Sequence, residues 1–322
     1  MIFSFCLFIV VLVLATRLIR SAQTGPAKCP ISVNYHFTRQ CNKACGFCFH
    51  TATTSHKENL DRAKKGLKLL KEAGLRKLNF AGGEPFLYAN HLGSMIDYCK
   101  EDLQLESVSI VTNGSKVTRQ FLEKHGHNID IIAVSCDSFD ERTNVEIGRG
   151  DGNTFDQLYK IAGWCREFGI KFKLNTVVCR LNFTEDMNDR VAELQPFRWK
   201  CFQVLMVQGE NDSEKKLRDV RRFMISDAEF EDFCQRHRTQ KCLVPESNLM
   251  MAKSYLILDE YMRFLDREGR DPSPSILEVG VEKALSCVFW DDENFVKRGG
   301  LYSWTRDAKE SASCSDNKDL NW

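Results

Sequence analysis

The chain is 322 residues long and nearly neutral, with 45 basic against 44 acidic side chains and a formal net charge of +1. That balance excludes a protein that coats a polyanion by global charge, so an anionic ligand must be met by a local cluster. Hydrophobic residues at 43%, with 22 Phe and only 7 Pro, supply a large core and exclude a disordered or collagen-like chain.

The N-terminal residues 2–15 (IFSFCLFIVVLVLA) form an unbroken apolar or small run that continues through Leu18 and Ile19. A membrane span wants ~20 such residues. The segment 1–20 is therefore expected to be an apolar anchor helix, with a cleaved secretory signal or a soluble apolar tail as rival readings. No Lys or Arg precedes the run, whereas Arg17, Arg20 and Lys28 follow it, which favours a cytosolic location for the rest of the chain. Residues 21–30 serve as a linker.

From residue 31 to about 210, short β-rich runs alternate with stretches of helical period. The strand candidates are 32–37, 77–82, 107–113, 130–136, 171–178 and 198–207. Between them, Leu60, Ala63, Leu67 and Leu70, or Phe155, Leu158, Ile161 and Cys165, are spaced for one buried helix face. Repeated strand–helix–strand units imply parallel pairing with right-handed crossovers, hence a full or partial barrel or an open doubly wound sheet. Beyond residue 210 the rhythm stops. A mainly helical extension is expected over 211–307, then a polar tail over 308–322.

Most of the 14 Cys sit in apolar runs and read as core. The exception is CNKACGFC, which places Cys41, Cys45 and Cys48 on the loop after the first strand. Thiolates so crowded suggest metal ligation in a reducing compartment. A zinc site completed by Cys29 or His50 is one reading. The other is a 4Fe-4S cubane, on which three thiolates leave one iron open to a small molecule. After the second strand comes Gly82-Gly83-Glu84-Pro85, either an ordinary tight turn or a place where backbone approaches a ligand and a carboxylate accepts from an ammonium group. Asn113 and Ser135 end later strands as ribose or carboxylate candidates, or simply as turn closers.

Strands buried on both faces of a parallel sheet read as continuous apolar runs, and several here do not. A period of two puts Asn34 and His36, Lys77 and Asn79, Lys171, Lys173 and Asn175, and Arg198 and Lys200 each on one face of a strand. In a barrel these faces share a lumen, and buried cations require a paired anion. Lysines at sheet edges pointing to water are the alternative. The charge count suits a triphosphate, gripped by side chains because no Walker-type loop is present.

CNKACGFC followed by a Gly-Gly-Glu at the next strand end resembles the CxxxCxxC signature of the radical S-adenosylmethionine superfamily. The longer blocks NYHFTRQC, CGFCFHTA, NFAGGEPFL, SCDSFDE, IGRG, CLVPESN, SYLILDEYMRFL and KRGG are similar to those of its viperin family of antiviral enzymes, over residues 30–322. The resemblance implies a partial (β/α)6 barrel, a 4Fe-4S cluster on Cys41, Cys45 and Cys48, and S-adenosylmethionine as cosubstrate. It implies that Gly82, Gly83 and Glu84 meet the methionine amine, with Ser135 and Arg149 also on the cosubstrate. Lys77, Lys173, Arg198 and Lys200 would grip a triphosphate, Asn34, His36 and Asn175 would surround the sugar and phosphates, and Tyr255 would be a lid residue or a core tyrosine.

The implied reaction is dehydration of CTP to its 3'-deoxy-3',4'-didehydro analogue, by a radical that takes the ribose 4' hydrogen. Base choice comes from the resemblance alone. No direct nucleic-acid partner is expected. The implied location is the cytosolic face of the endoplasmic reticulum membrane, with lipid droplets a weaker second address because this leader is short and uniformly apolar. Trp322 matches the terminal aromatic that recruits the cytosolic iron-sulfur assembly machinery in the family, although the usual acid before it is Asn321 here. A second reading is a membrane-tethered antiviral scaffold whose cluster is structural.

Overall fold

All six expected strands form: β1 (Ser32–His36), β2 (Lys77–Ala81), β3 (Ser107–Thr112), β4 (Ile131–Ser135), β5 (Lys171–Val178) and β6 (Arg198–Gln203). The computed structural model describes residues 29–150, 154–251, 254–266 and 271–291, together with 293, 295, 302, 305 and 306. The anchor 1–20, most of the linker 21–30 and the tail 308–322 lie outside the described residues. Helices cross between consecutive strands: α1 (Leu60–Glu72), α2 (Ala89–Asp97), α3 (Arg119–His125), α4 (Glu141–Ile147) with α5 (Thr154–Glu167), and α6 (Asn188–Leu194).

Helix α1 shows why the pattern is legible. The Asn59 side chain caps it by accepting from the Arg62 N–H at 3.0 Å, and Ala63, Leu67 and Leu70 recur at helical spacing and are fully buried. Burying a leucine of this kind contributes roughly 2 kcal/mol. In α5, Leu158, Ile161 and Cys165 do the same, while Phe155 is only partly buried.

The strands pair in parallel in sequence order, and two more extend the sheet: β7 (Leu243–Glu246) beside β6, and β8 (Ile257–Leu258) beside β1. The result is a curled sheet open between β7 and β8, a half-barrel with helices outside. Both added strands come from the C-terminal extension, whose other described elements are helical. It holds α7 (Asp227–Arg236) and the short α8 (Asn248–Met251), α9 (Ile276–Val279) and α10 (Val281–Ser286). Strands of four and two residues are too short for a readable period, and Pro245 sits in β7 because an edge strand tolerates a residue with no N–H. Arg39, at the barrel mouth, ties the extension down: its Nε donates to Glu260 at 3.0 Å and its two terminal nitrogens donate to Glu210 at 3.0 and 3.1 Å.

Register decides which side chains meet inside. Asn34 lies opposite Asn79, and Asn79 opposite Ser109, so one polar row runs across β1, β2 and β3. Asn79 donates to Asn34 at 2.8 Å and Ser109 donates to Asn79, which satisfies the row. Ser135 lies opposite Asn175 and Asn175 opposite Lys200, with Lys173 beside Arg198 one layer lower. Lys77 opens β2 and Arg198 opens β6, so the cations gather in the half of the lumen nearest the N-terminal ends of the strands.

Candidate active site

A cavity of about 350 Å³ fills the lumen, within the usual size for a small-molecule site. Cys41, Cys45 and Cys48 line it at the C-terminal ends of the strands, with Gly82, Gly83, Asn113, Ser135 and Arg149 around them. Asn34, His36, Lys77, Lys173, Asn175, Lys200 and Tyr255 line the remainder. Two expected site residues stand off its wall. Arg198 reaches it indirectly, its guanidinium stacked 4.1 Å from the ring of Tyr302, which does line the cavity.

The second is Glu84. It is fully buried, and its carboxylate accepts from Thr112 Oγ1 at 2.7 Å, Asn113 N at 2.7 Å and Phe86 N at 3.0 Å. Glu84 thus ties the end of β2 to the end of β3 and caps the turn at Pro85–Tyr88. The glycines before it serve the same docking. Gly83 N donates to Thr38 O at 2.7 Å, and a Cβ on Gly83 would lie 2.1 Å from Gln40 O. Their close approach is to the cysteine loop's own backbone, which is where the loop acquires its fixed position.

The other side of that loop rests on residues 147 and 148. Ala44 N donates to Gly148 O and Gly46 N to Ile147 O, both at 2.9 Å. Gly148 has φ +89°, and a Cβ there would meet Ala44 O at 2.4 Å. Arg149 follows at once. It is buried and paired with Asp137, whose other oxygen accepts from Val177 N at 2.9 Å. Burial opposes the Arg149 charge, but Asp137 together with Cys45 and Cys136 outweighs it and holds the guanidinium above its ordinary range. Asp137 also lines the cavity; as an acid at a strand end it was visible in the block SCDSFDE, but not as the partner of Arg149.

Among the described residues, all cysteines are free thiols, and no three His, Cys, Asp or Glu side chains converge on a single metal ion. Cys29 bonds to Ala73 O at the opposite end of β1, far from a role in a zinc site. A cubane asks for different geometry, one thiolate per iron on three separate corners. The donor set of the cysteine loop fits it: three free thiols lining one cavity, with Lys43 N donating to Cys41 Sγ at 3.4 Å and the Asn113 amide 3.8 Å from it. Burial raises all three thiols, and burial with the neighbouring Cys45 charge pushes Cys48 up to about 12. A cationic cluster is what would stabilise them as thiolates.

In the cation basin, burial lowers Lys77, and burial followed by the Lys200 charge pushes Lys173 down to about 7. Tyr302 sits among them. Burial alone would raise its phenol, but Lys77, Lys173, Arg198 and Lys200 bring it down to about 6, and its oxygen accepts from Lys77 Nζ at 3.0 Å. Nothing local in the sequence marks Tyr302, two residues beyond the KRGG block. Glu246, buried behind Lys200 and Tyr255, lies in the block CLVPESN, but nothing there shows it as their partner.

The Radical SAM superfamily pattern matches residues 35–194. An S-adenosylmethionine-dependent nucleotide dehydratase RSAD2 from Oncorhynchus mykiss is 56% identical over 86% of this chain and 81% of its own. The chain belongs to the S-adenosylmethionine-dependent nucleotide dehydratases of the radical SAM superfamily. The likeness extends to the Danio rerio protein of the same name, 53% identical over 89% of this chain and 82% of its own. It reaches a bacterial nucleotide dehydratase from Flammeovirga pacifica, 35% identical over 85% and 96%. Among solved structures, Streptococcus suis SuiB bound to S-adenosylmethionine shares the fold at TM-score 0.61 and 17% identity, over 84% of this chain and 67% of SuiB. anSMEcpe with bound AdoMet does so at TM-score 0.61 and 14% identity, over 83% and 82%. A 4Fe-4S cluster and S-adenosylmethionine are the cofactors of this superfamily, and the cysteine loop of this dehydratase fits the cluster on the grounds above.

Proposed function

We propose that this dehydratase acts on a nucleoside triphosphate, CTP, and converts it to 3'-deoxy-3',4'-didehydro-CTP. The observation that carries this is the polarity of one cavity: cysteines at the C-terminal ends of the strands, Lys77, Lys173 and Lys200 toward the N-terminal ends. A polyphosphate held by the lysines would leave its ribose between the two halves. When bound, the cluster and S-adenosylmethionine supply the radical that takes the ribose 4' hydrogen.

The chain's own part is positional. Lys77, Lys173 and Lys200 hold the phosphates, and Asn34, Asn79 and Asn175 offer hydrogen bonds at the level of the sugar. Arg149 and Ser135 orient the cosubstrate beside the cysteine loop, and the buried wall excludes water from the reacting carbon. Anaerobic incubation of reconstituted protein with reductant, S-adenosylmethionine and each nucleoside triphosphate is the test. CTP should stimulate 5'-deoxyadenosine formation and yield a product lighter by one water; UTP outperforming CTP would overturn the base assignment, and no stimulation by any triphosphate would overturn the activity.

Two assignments concern residues outside the described ones. Residues 1–20 hold the protein on the cytosolic face of the endoplasmic reticulum, and their deletion should release it to the soluble fraction; a protein still membrane-bound would refute this. Trp322 recruits the cytosolic iron-sulfur assembly machinery, and Trp322→Ala should lower the iron content of protein isolated from cells, with unchanged iron refuting it.

A further inference from the structure

The cation basin contains a carboxylate that does not line the cavity. Glu246 is the last residue of β7, opposite Phe202 on β6, and is 2% exposed. One of its oxygens pairs with Lys200 Nζ and the other accepts from the Tyr255 hydroxyl, while Lys200 also donates to that hydroxyl at 3.0 Å. Lys200 and Tyr255 both line the cavity. Glu246 therefore stands directly behind the two groups that face the ligand.

From this geometry we infer that Glu246 is a positioning residue for the substrate's phosphates: it fixes the Lys200 ammonium and the Tyr255 hydroxyl, and it keeps Lys200 charged before the nucleotide arrives. The inference rests on the triphosphate reading above. Lys200 sits among like charges, with Lys173 on β5, Lys77 on β2 and Arg198 on its own strand, and the Tyr302 phenol from the C-terminal segment is a further acid in the basin. A buried ammonium that loses its counter-charge most cheaply responds by losing its proton. Lys173 shows the tendency: it already lies at about 7, with burial and the Lys200 charge as the leading causes and Glu246 opposing them. Without Glu246, both lysines would have to take up protons as the triphosphate binds, and affinity would fall steeply with rising pH.

The test is calorimetric titration of cluster-loaded protein with CTP, in two buffers of different ionisation heat, for the unmodified chain, Glu246→Gln and Glu246→Asp. At about pH 8.5 the Gln variant should bind at least about tenfold more weakly than the unmodified chain and take up about one additional proton; at about pH 6.5 the two should agree within about threefold. Glu246→Asp keeps the charge on a shorter arm, so it should bind more weakly at both pH values with no extra proton. A purely structural role for Glu246 would give the same loss at both pH values and unchanged proton uptake, and that result overturns the inference. Should Glu246→Gln fail to fold, Glu246→Ala takes its place: a larger loss at about pH 8.5 than at about pH 6.5 with an additional proton taken up supports the inference, and an equal loss at both with unchanged uptake overturns it. If the unmodified chain does not bind CTP, the triphosphate reading fails and this inference with it; if it binds and Glu246→Gln behaves identically, only the inference fails.

Discussion

Lys173→Met separates what the basin does for folding from what it does for binding. Lys173 faces the lumen and is held at about 7 against an ordinary 10.5, chiefly by burial. At ~1.4 kcal/mol per pH unit the displacement sets a ceiling of about 5 kcal/mol, which we cut to about 2 kcal/mol because the side chain keeps some contact with cavity water. The sign follows from which state releases the proton. Below pH 7 both folded and unfolded chains carry it, and the folded chain bears the whole cost. Between about 7 and 10.5 the folded chain sheds it while the unfolded chain does not, so the cost shrinks as pH rises and vanishes above the upper value. A methionine of similar reach carries no charge to desolvate. The variant should therefore be more stable by about 2 kcal/mol at about pH 6, a Tm rise of about 4–8 °C, with the gain reduced to a fraction of that at about pH 9.5. Saturating CTP should reverse the order, because only the unmodified chain gains the ligand's stabilisation in full. Scanning calorimetry of both proteins at the two pH values, with and without CTP, is the assay. A variant less stable at pH 6, or one whose advantage does not decline with pH, would refute the reasoning.

Three further outcomes are expected. Cys45→Ala should abolish the visible absorbance of the reconstituted protein, and full absorbance with turnover would remove Cys45 from the ligand set. Glu84→Ala leaves Thr112 Oγ1 and the N–H groups of Phe86 and Asn113 buried without their acceptor, a loss of roughly 3 kcal/mol by denaturant titration; a loss under about 1 kcal/mol would mean that water replaces the carboxylate. Gly148→Ala drives a Cβ into Ala44 O at a left-handed position, so iron per chain after reconstitution should drop while bulk secondary structure persists, and unchanged iron content would show that the cysteine loop does not depend on that contact.

The strand–helix rhythm, the cysteine loop and the cationic strand faces were all legible along the chain, because periods of 2 and 3.6 residues are written locally and each strand needs only its own residues to show one polar face. Lys173 with Asn175, and Asn34 with His36, could be assigned to the lumen on that ground alone. Helix α1 was equally plain from Ala63, Leu67 and Leu70. What no local pattern carries is convergence between distant segments. Register across β4, β5 and β6 aligned Ser135, Asn175 and Lys200. Pairing of β7 with β6 put Glu246 behind Lys200, and the C-terminal segment delivered Tyr302 to Lys77 across 225 residues. Glu84 shows the division most clearly. A Gly-Gly-Glu at a strand end reads as ligand-facing in sequence, yet buried N–H groups at the start of the turn and the end of β3 demanded an acceptor, and the nearest carboxylate was committed to them. Such demands exist only once the backbone has folded.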